Sequence, residues 1–453
     1  MFNETKEKVN NSILKAKYIS LTTDGWTNYN NVSFFAITGH FINEDGYLQT
    51  LLLKCSEFAL NHTAVNIAEW IQNIMEEYDI KNKVVAVVTD NATNMKAAIN
   101  ILKLTHIPCF AHSLNIIVQT SLKTSIKRII DEVKSIVQHF KKSATATQKL
   151  MQMQKNLKYP VLKLKQDVPT RWNSTYDMLE RFVLNKKPLL SCLAILNIKT
   201  NLTDRDWETI NKALEILKLF KLATEDVSAE KSVTLSKMGV LCRILLDRML
   251  KIEINGSVEI EISELVNSLI KGIREKYAPY FSNELVQKSI LLDPRHKKHG
   301  FFDDKLKFRE TYDLVLNELK RLLARQNELT TEQTETLPQT TEQSNPLWGD
   351  YDAKKRLNVP TTNSTAAAIN ELGGYLKDQD LGIKEDSLIW WQKNKHAYPN
   401  LYEIILRIMC IPATSVPCER IFSKAGNILT DRRNRLTPKK MEEVLFLKYN
   451  FDG

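Results

Sequence analysis

The chain has 453 residues, of which 43% are hydrophobic and 26% charged, a globular composition with room for roughly two to three domains. No run of about 18 apolar residues occurs, so no membrane span is expected, and the polar opening "MFNETKEKVNN" has the pattern of neither a secretory signal nor a transit peptide. The formal charge of +10 is concentrated between Lys103 and Lys165, where twelve Lys/Arg stand against two Asp/Glu; such a stripe suits a polyanion, nucleic acid first, or else is the solvated face of a lysine-rich helix.

Residues 18–23 read as a first strand that ends at Asp24, followed by turn chemistry in "YNN" at 29–31. A second strand lies in "VSFFAITGHFI" and, after the "NEDG" turn at 43–46, a third in "GYLQTLLLKCSEF". The period then lengthens, with Val65, Ala68, Trp70, Ile71, Ile74 and Met75 at helical spacing. The β-branched run 84–88 is a buried strand that ends in Thr89 and Asp90, with a helix from about Thr93. A short apolar piece then runs into one long helix whose stripe extends from Leu114 to Phe140. The order β-β-β-α-β-α-β-α predicts a mixed sheet covered by helices.

From about Leu184 to Arg325 the pattern is mostly helical and reads as a separate block. The Thr/Gln/Glu-rich stretch 327–346 has the composition of a linker or disordered loop. From about Ser364 to Asn450 the chain reads as helical again, broken at Pro412 and Pro417, with Gly426 capping one helix and Thr437-Pro438 opening the last. Six scattered cysteines without a Cys-x-x-Cys pair predict a reduced intracellular chain with neither a disulfide framework nor a zinc ribbon.

Asp24 and Asp90 end two strands of one predicted sheet. If those strands are neighbours, the carboxylates repel and one stays protonated unless a divalent cation intervenes. Mg²⁺ takes hard oxygen ligands and needs only one or two carboxylates beside substrate phosphate. The other reading makes Asp90 or Asn91 a cap of the following helix. Glu419 sits early in a helix opened by Ser415 and Pro417, where the helix dipole favours an acid by about 0.3–1 kcal/mol in any case. Nothing local brings it to the other two. Within the basic stripe, Lys141 and Lys142 are candidate DNA contacts.

The stretches "LTTDGWTNYNNVSFFAITGHFI", "VVTDNATNM", "CFAHSLNIIV", "DVPTRWNST" and "LLDPRHK" are similar to those of hAT-superfamily DNA transposases and of the zinc-finger-BED proteins descended from them. The C-terminal block, with "WW", "YPNL", "PATS", "ERIFSKAG" and "RRNRL" in order, carries the most specific part of the resemblance. It implies an α/β fold: an RNase H-like mixed sheet interrupted by a large all-α insertion, with a helical C-terminal hAT dimerisation region. On that basis 1–183 is the first part of the RNase H-like core and 184–326 the helical insertion. A flexible linker follows at 327–363, and 364–453 is the dimerisation region that completes the core.

The resemblance also assigns roles. Asp24, Asp90 and Glu419 become the catalytic acids that bind Mg²⁺ or Mn²⁺ for DNA strand cleavage and transfer. Trp172, with Arg171 beside it, matches a residue that stacks on an unpaired base; the other reading is a core Trp before a helix capped by Asn173 or Ser174. Arg432, Arg433 and Arg435 hold phosphates, or pair with acids across a dimer interface. Cys109 and His112 match a Cys-x-x-His pair, half a zinc site with no second half in reach. His112 is therefore assigned to phosphate or to ordering a carboxylate, against a packed histidine at a helix start, and Cys109 receives no role. The implied partners are DNA and a second copy of the chain, in the nucleus. The family's N-terminal BED finger has no counterpart in these residues, as expected of a fragment, a decayed copy or a product that lost it. The alternative function is that of a domesticated, non-catalytic regulator of transcription or chromatin that binds DNA and dimerises.

Overall fold

A computed structural model describes residues 1–27, 31–254, 259–335, 364–428 and 437–451. It opens with a helix that the polar N-terminal composition conceals, α1 (Phe2–Lys15), whose Thr5, Val9 and Ile13 recur every four residues and are buried. Strands β1 (Ile19–Thr27), β2 (Ser33–Ile42) and β3 (Leu48–Glu57) follow, then α2 (Ala64–Glu77), β4 (Val84–Thr89), α3 (Thr93–Ile101) and β5 (His106–Pro108). The sheet order is β3-β2-β1-β4-β5. β1, β2 and β3 pair antiparallel, and β4 and β5 continue the sheet parallel to β1. This is the mixed sheet the pattern predicts. Its second hairpin turns at Gly46, whose φ of +83° favours glycine.

Both faces of the sheet are covered, which explains the unbroken apolar run of β4. Ala86 and Val88 enter one core and Val87 the other, the two-residue alternation of a strand. The stripe from Leu114 to Phe140 forms two helices, not one: α4 (Phe110–Ser125) and α5 (Lys127–Lys142). At the break the hydroxyls of Thr124 and Ser125 both donate to the Ser121 carbonyl, at 3.0 and 2.7 Å, in competition with the backbone ladder.

The remaining elements are α6 (Ala144–Asn156), α7 (Trp172–Leu184), α8 (Lys186–Ile195), α9 (Asp204–Val227), α10 (Leu235–Ile254), α11 (Ile260–Ser282), α12 (Glu284–Leu292), a 3-10 turn (Lys297–Phe301) and α13 (Lys305–Glu335). After them come α14 (Ser364–Lys377), α15 (Ser387–Asn394), α16 (Pro399–Ile408), α17 (Val416–Ile428) and α18 (Pro438–Phe451). α13 runs into the Thr/Gln/Glu-rich stretch as far as Glu335, and 336–363 lie outside the described residues. Pro417 does not break a helix but sits in the first turn of α17, where no intrahelical N–H is needed. Gly426 lies within α17 and does not cap it.

The all-α block packs on the sheet domain by laying α11 across α4. Gly272 permits the approach, since a Cβ there would meet Ile117 at 2.9 Å. The C-terminal helices dock on the block through "LLDPRHK". Tyr375 Oη donates to the Leu291 carbonyl at 3.2 Å and Trp391 Nε1 to that of Leu292 at 3.0 Å. Lys297, 1% exposed, donates to the carbonyls of Tyr375 and Asp378 at 3.0 and 2.7 Å. α18 closes the outer edge of the sheet: the Asn450 amide exchanges two 2.9 Å bonds with the Leu52 backbone on β3.

Candidate active site

β1 does not end at Asp24 as its pattern suggests. It continues to Thr27, because β2 pairs with it along its whole length, with Asp24 opposite Ala36. On its other side the parallel pairing with β4 stops at Thr22 opposite Val88. Carrying that register two residues on sets Asp24 beside Asp90, just past the end of β4. Asp90 also fills part of the capping role: its Oδ1 accepts the Ala92 N–H at 3.2 Å ahead of α3. The loop is tied down by Asn91, whose amide donates to Ser113 Oγ at 2.9 Å, and Ser113 Oγ in turn meets Tyr280 Oη of α11 at 2.8 Å.

Glu419 arrives in the first turn of α17, and its two neighbours fix that turn. Cys418 is buried and contacts Thr22 Oγ1 at 3.3 Å, which holds the helix to β1. A buried chain of side chains continues from there: Thr22 Oγ1 to Thr38 Oγ1 at 2.5 Å, Thr38 to His40 Nε2 at 2.9 Å, and His40 Nδ1 to Thr50 Oγ1 at 3.1 Å. Burial pushes His40 down to about 3, so it is neutral at physiological pH. On the other side Arg420 donates to the Ser228 carbonyl at 2.8 Å, just after α9, and forms an ion pair with Glu230. Both partners of that pair are partly exposed, so the pair itself contributes only about 0.2–1 kcal/mol, and the bond to the carbonyl supplies the rest. Arg420→Glu should therefore lower stability by about 1–2 kcal/mol in urea melts. Combining it with Glu230→Arg should recover part of the loss; strict additivity of the two losses would show that the ion pair does not couple α17 to the helical block.

The three acids share one electrostatic site. Burial raises Asp24 first, and the charges of Asp90 and then Glu419 raise it further, to about 8, against one opposing bond from the Gly25 N–H. None of the three forms an ion pair among the described residues. This uncompensated set of hard oxygen donors suits a divalent cation in charge and in ligand type. Even so, no group of three or more His, Cys, Asp or Glu side chains among the described residues is arranged to hold an ion.

Asp24 and Glu419 line a cleft of about 780 Å³ between the C-terminal half of β1, α4, the start of α7, the end of α9 and α17. Asp90 is not part of its lining. His112 and Arg171 are. Arg171 is exposed, with no acid partner among the described residues, and α4 holds its segment: Asn115 Nδ2 donates to the Thr170 carbonyl at 3.0 Å, and Asn115 Oδ1 accepts the Trp172 N–H at 2.9 Å. Trp172 itself is only 2% exposed and packs in the core as the first residue of α7, so in this conformation its ring has no face free for a base. α7 is capped by neither Asn173 nor Ser174; its N-cap position is Arg171.

The aromatic that does line the cleft is Trp26, stacked on Phe422 of α17 with ring centroids 5.9 Å apart. Its signal was in the sequence: two residues beyond Asp24 on a strand, it shares the face of that acid. Cys109 also acquires a role. It is buried, caps α4, and its Sγ accepts N–H groups from His112 at 3.5 Å and Ser415 at 3.3 Å, which ties α4 to the approach of α17. All six cysteines are free and buried. Lys141 and Lys142 are exposed at the end of α5 and do not line the cleft. Arg432, Arg433 and Arg435 lie outside the described residues.

A mixed five-stranded sheet, acids at the shared end of β1 and β4, a third acid on a late helix and an all-α block between them define the RNase H-like class with a helical insertion. Residues 22–109 match the ZBED1 RNase-like domain, 107–216 the ZBED1 RNase-like helical domain, and 371–451 the hAT family C-terminal dimerisation region. The chain belongs to the hAT transposase and zinc-finger-BED family. It is 23% identical to zinc finger BED domain-containing protein 4 of Homo sapiens, over 99% of this chain and 39% of that protein. It is 25% identical to a putative AC transposase of Zea mays, over 99% of this chain and 58% of the relative. A Drosophila melanogaster Hobo transposase is 31% identical over 37% of this chain and 24% of its own length. The chain thus spans about half the length of the first two relatives. No helix among the described residues is long and apolar enough to cross a membrane.

Proposed function

We propose that this chain is a hAT-type transposase-like protein that cleaves and transfers DNA strands in the nucleus as a dimer, with Mg²⁺ or Mn²⁺. The observation that supports the proposal is that Asp90 and Glu419, distant in sequence, both act on Asp24 by their charge, and that none of the three acids forms an ion pair among the described residues. Asp24, Asp90 and Glu419 would hold the ion, which when bound supplies Lewis-acid activation of water and of a phosphodiester. The chain's own groups do the rest. Arg171 offers a bidentate donor to a phosphate entering the cleft, His112 a second polar contact, and Trp26 an apolar platform against which a sugar or base can rest. Cys418 and Arg420 keep Glu419 directed at the cleft. The test is divalent-dependent nicking of duplex DNA that carries the element's own ends, lost in Asp90→Asn.

The match to a dimerisation region supports self-association. Light scattering after size exclusion should give twice the 52.2 kDa chain mass, and a strictly monomeric species would remove the dimer from the proposal. Two observations favour a second reading, the non-catalytic DNA-binding regulator: the three acids, though within electrostatic reach of one another, are not arranged among the described residues to hold an ion, and Trp172 is buried. Wild-type protein that binds DNA but never nicks it would select this reading.

A further inference from the structure

The basic stripe treats its cations in two ways. Lys127, Arg128, Lys134 and Lys165 are neutralised within the chain by Asp131, Asp206, Asp167 and Asp177. From 141 to 163 there is no acid at all, and Lys141, Lys142, Lys149, Lys155, Lys158 and Lys163 are all exposed, with no ion pair among the described residues. The fold gathers several of them. Buried Gln154 donates to the Leu162 carbonyl at 2.9 Å and to Asn185 Oδ1 at 2.6 Å, and Arg181 donates to the Lys163 carbonyl at 2.9 Å. These bonds bring Lys155, Lys158, Lys163 and exposed Lys187 to one end of α6. Lys141 and Lys142 stand at its other end, about 20 Å away for a helix of 13 residues.

We propose that the lysine-lined surface running along α6, from the end of α5 to residues 155–163 and the start of α8, is a duplex-DNA contact surface, separate from the acid cleft, that holds the phosphate backbone without reading sequence. It rests on DNA being the partner and not on cleavage. Unpaired lysines in this density repel one another; the charge of a polyanion relieves that repulsion, and binding also gains the entropy of the counterions the polyanion releases. The span of about 20 Å fits within one helical turn of DNA, about 34 Å, so both lysine groups can meet one duplex. The six side chains are ammonium groups, suited to phosphate as point charges.

The test is the salt dependence of binding to a fluorescein-labelled 30-base-pair duplex of arbitrary sequence, read by anisotropy. The variant Lys155→Gln/Lys158→Gln/Lys163→Gln/Lys187→Gln is compared with a control of equal charge change on other exposed lysines, Lys8→Gln/Lys218→Gln/Lys251→Gln/Lys305→Gln. The first should bind about tenfold more weakly at 0.15 M salt, with the slope of log K against log salt shallower by about three; the control should stay within about twofold of wild type. In wild type, lysine-selective acetylation read by mass spectrometry should show Lys155, Lys158, Lys163 and Lys187 protected by the duplex, a measurement that needs no variant to fold. Equal loss in both variants, or no protection, overturns the surface while leaving DNA as partner. Wild type that fails to bind any duplex, or that prefers single-stranded RNA or anionic vesicles through these lysines, overturns it together with the DNA partner.

Discussion

Asp90→Asn, Asp24→Asn and Glu419→Gln should each lower divalent-dependent nicking by about a thousandfold, the several kcal/mol that a correctly held ion supplies to phosphodiester chemistry. The same site gives a readout that needs no DNA. Asp24 has a folded-state value near 8 against an ordinary carboxyl near 3.8. A raised value means that its contribution to stability is fully present below about pH 4 and is lost as pH rises through about 8. Without a divalent ion, melting temperature should therefore decline between pH 6 and pH 9 by the equivalent of roughly 1–3 kcal/mol. Only the part of the decline between pH 6 and about 8 falls in this window, roughly 2.8 kcal/mol at about 1.4 kcal/mol per pH unit, and the solvated cleft screens part of that. Asp24→Asn should flatten the decline and be the more stable protein at pH 9. Mg²⁺ or Mn²⁺ at millimolar concentration should raise the melting temperature of wild type more at pH 8.5 than at pH 6, since the ion displaces a proton, and should have little effect on the three variants. Identical ion responses in wild type and all three variants would show that these acids hold no cation.

Asp293→Asn should cost about 3–5 kcal/mol of stability, the loss typical of a buried charge stripped of its partner. Asp293 is fully buried. Burial opposes its charge, but bonds from Arg295 Nε at 2.9 Å and Nη2 at 2.6 Å, and from Ser236 Oγ at 2.6 Å, outweigh that and hold its carboxyl below the usual range. The amide leaves Arg295, itself buried, without an anion. The motif also carries Lys297 and the carbonyls that receive Tyr375 and Trp391, so the damage should spread to the C-terminal helices. Hydrogen exchange should accelerate across α14 and α15 before it does in the sheet. Exchange rising first in β1 and β4 would mean that the motif stabilises the sheet and not the docking of the C-terminal region. Arg295→Met added to Asp293→Leu should recover much of the stability, because an apolar pair removes both charges at once.

Much of the sheet was legible from residue order alone, because strand burial alternates with a period of two and hairpin turns have their own chemistry. The run at 84–88 declared a strand covered on both faces, and "NEDG" declared its turn. The C-terminal motifs carried the family. What order could not show is what depends on neighbours distant in the chain. Asp24 looked like the end of a strand because its apolar run stops there, but pairing with β2 carries the strand on while pairing with β4 ends, and that difference is what opens Asp24 to Asp90. α1 hid behind a polar composition because only one residue in four meets the core. Trp172 and Trp26 have similar local signatures, yet packing buries one ring and leaves the other on the cleft. The approach of Glu419 to Asp24, and the buried cysteine-to-threonine contact that holds it there, exist only once the C-terminal helix α17 has packed on β1; no local period encodes a contact across nearly the whole chain.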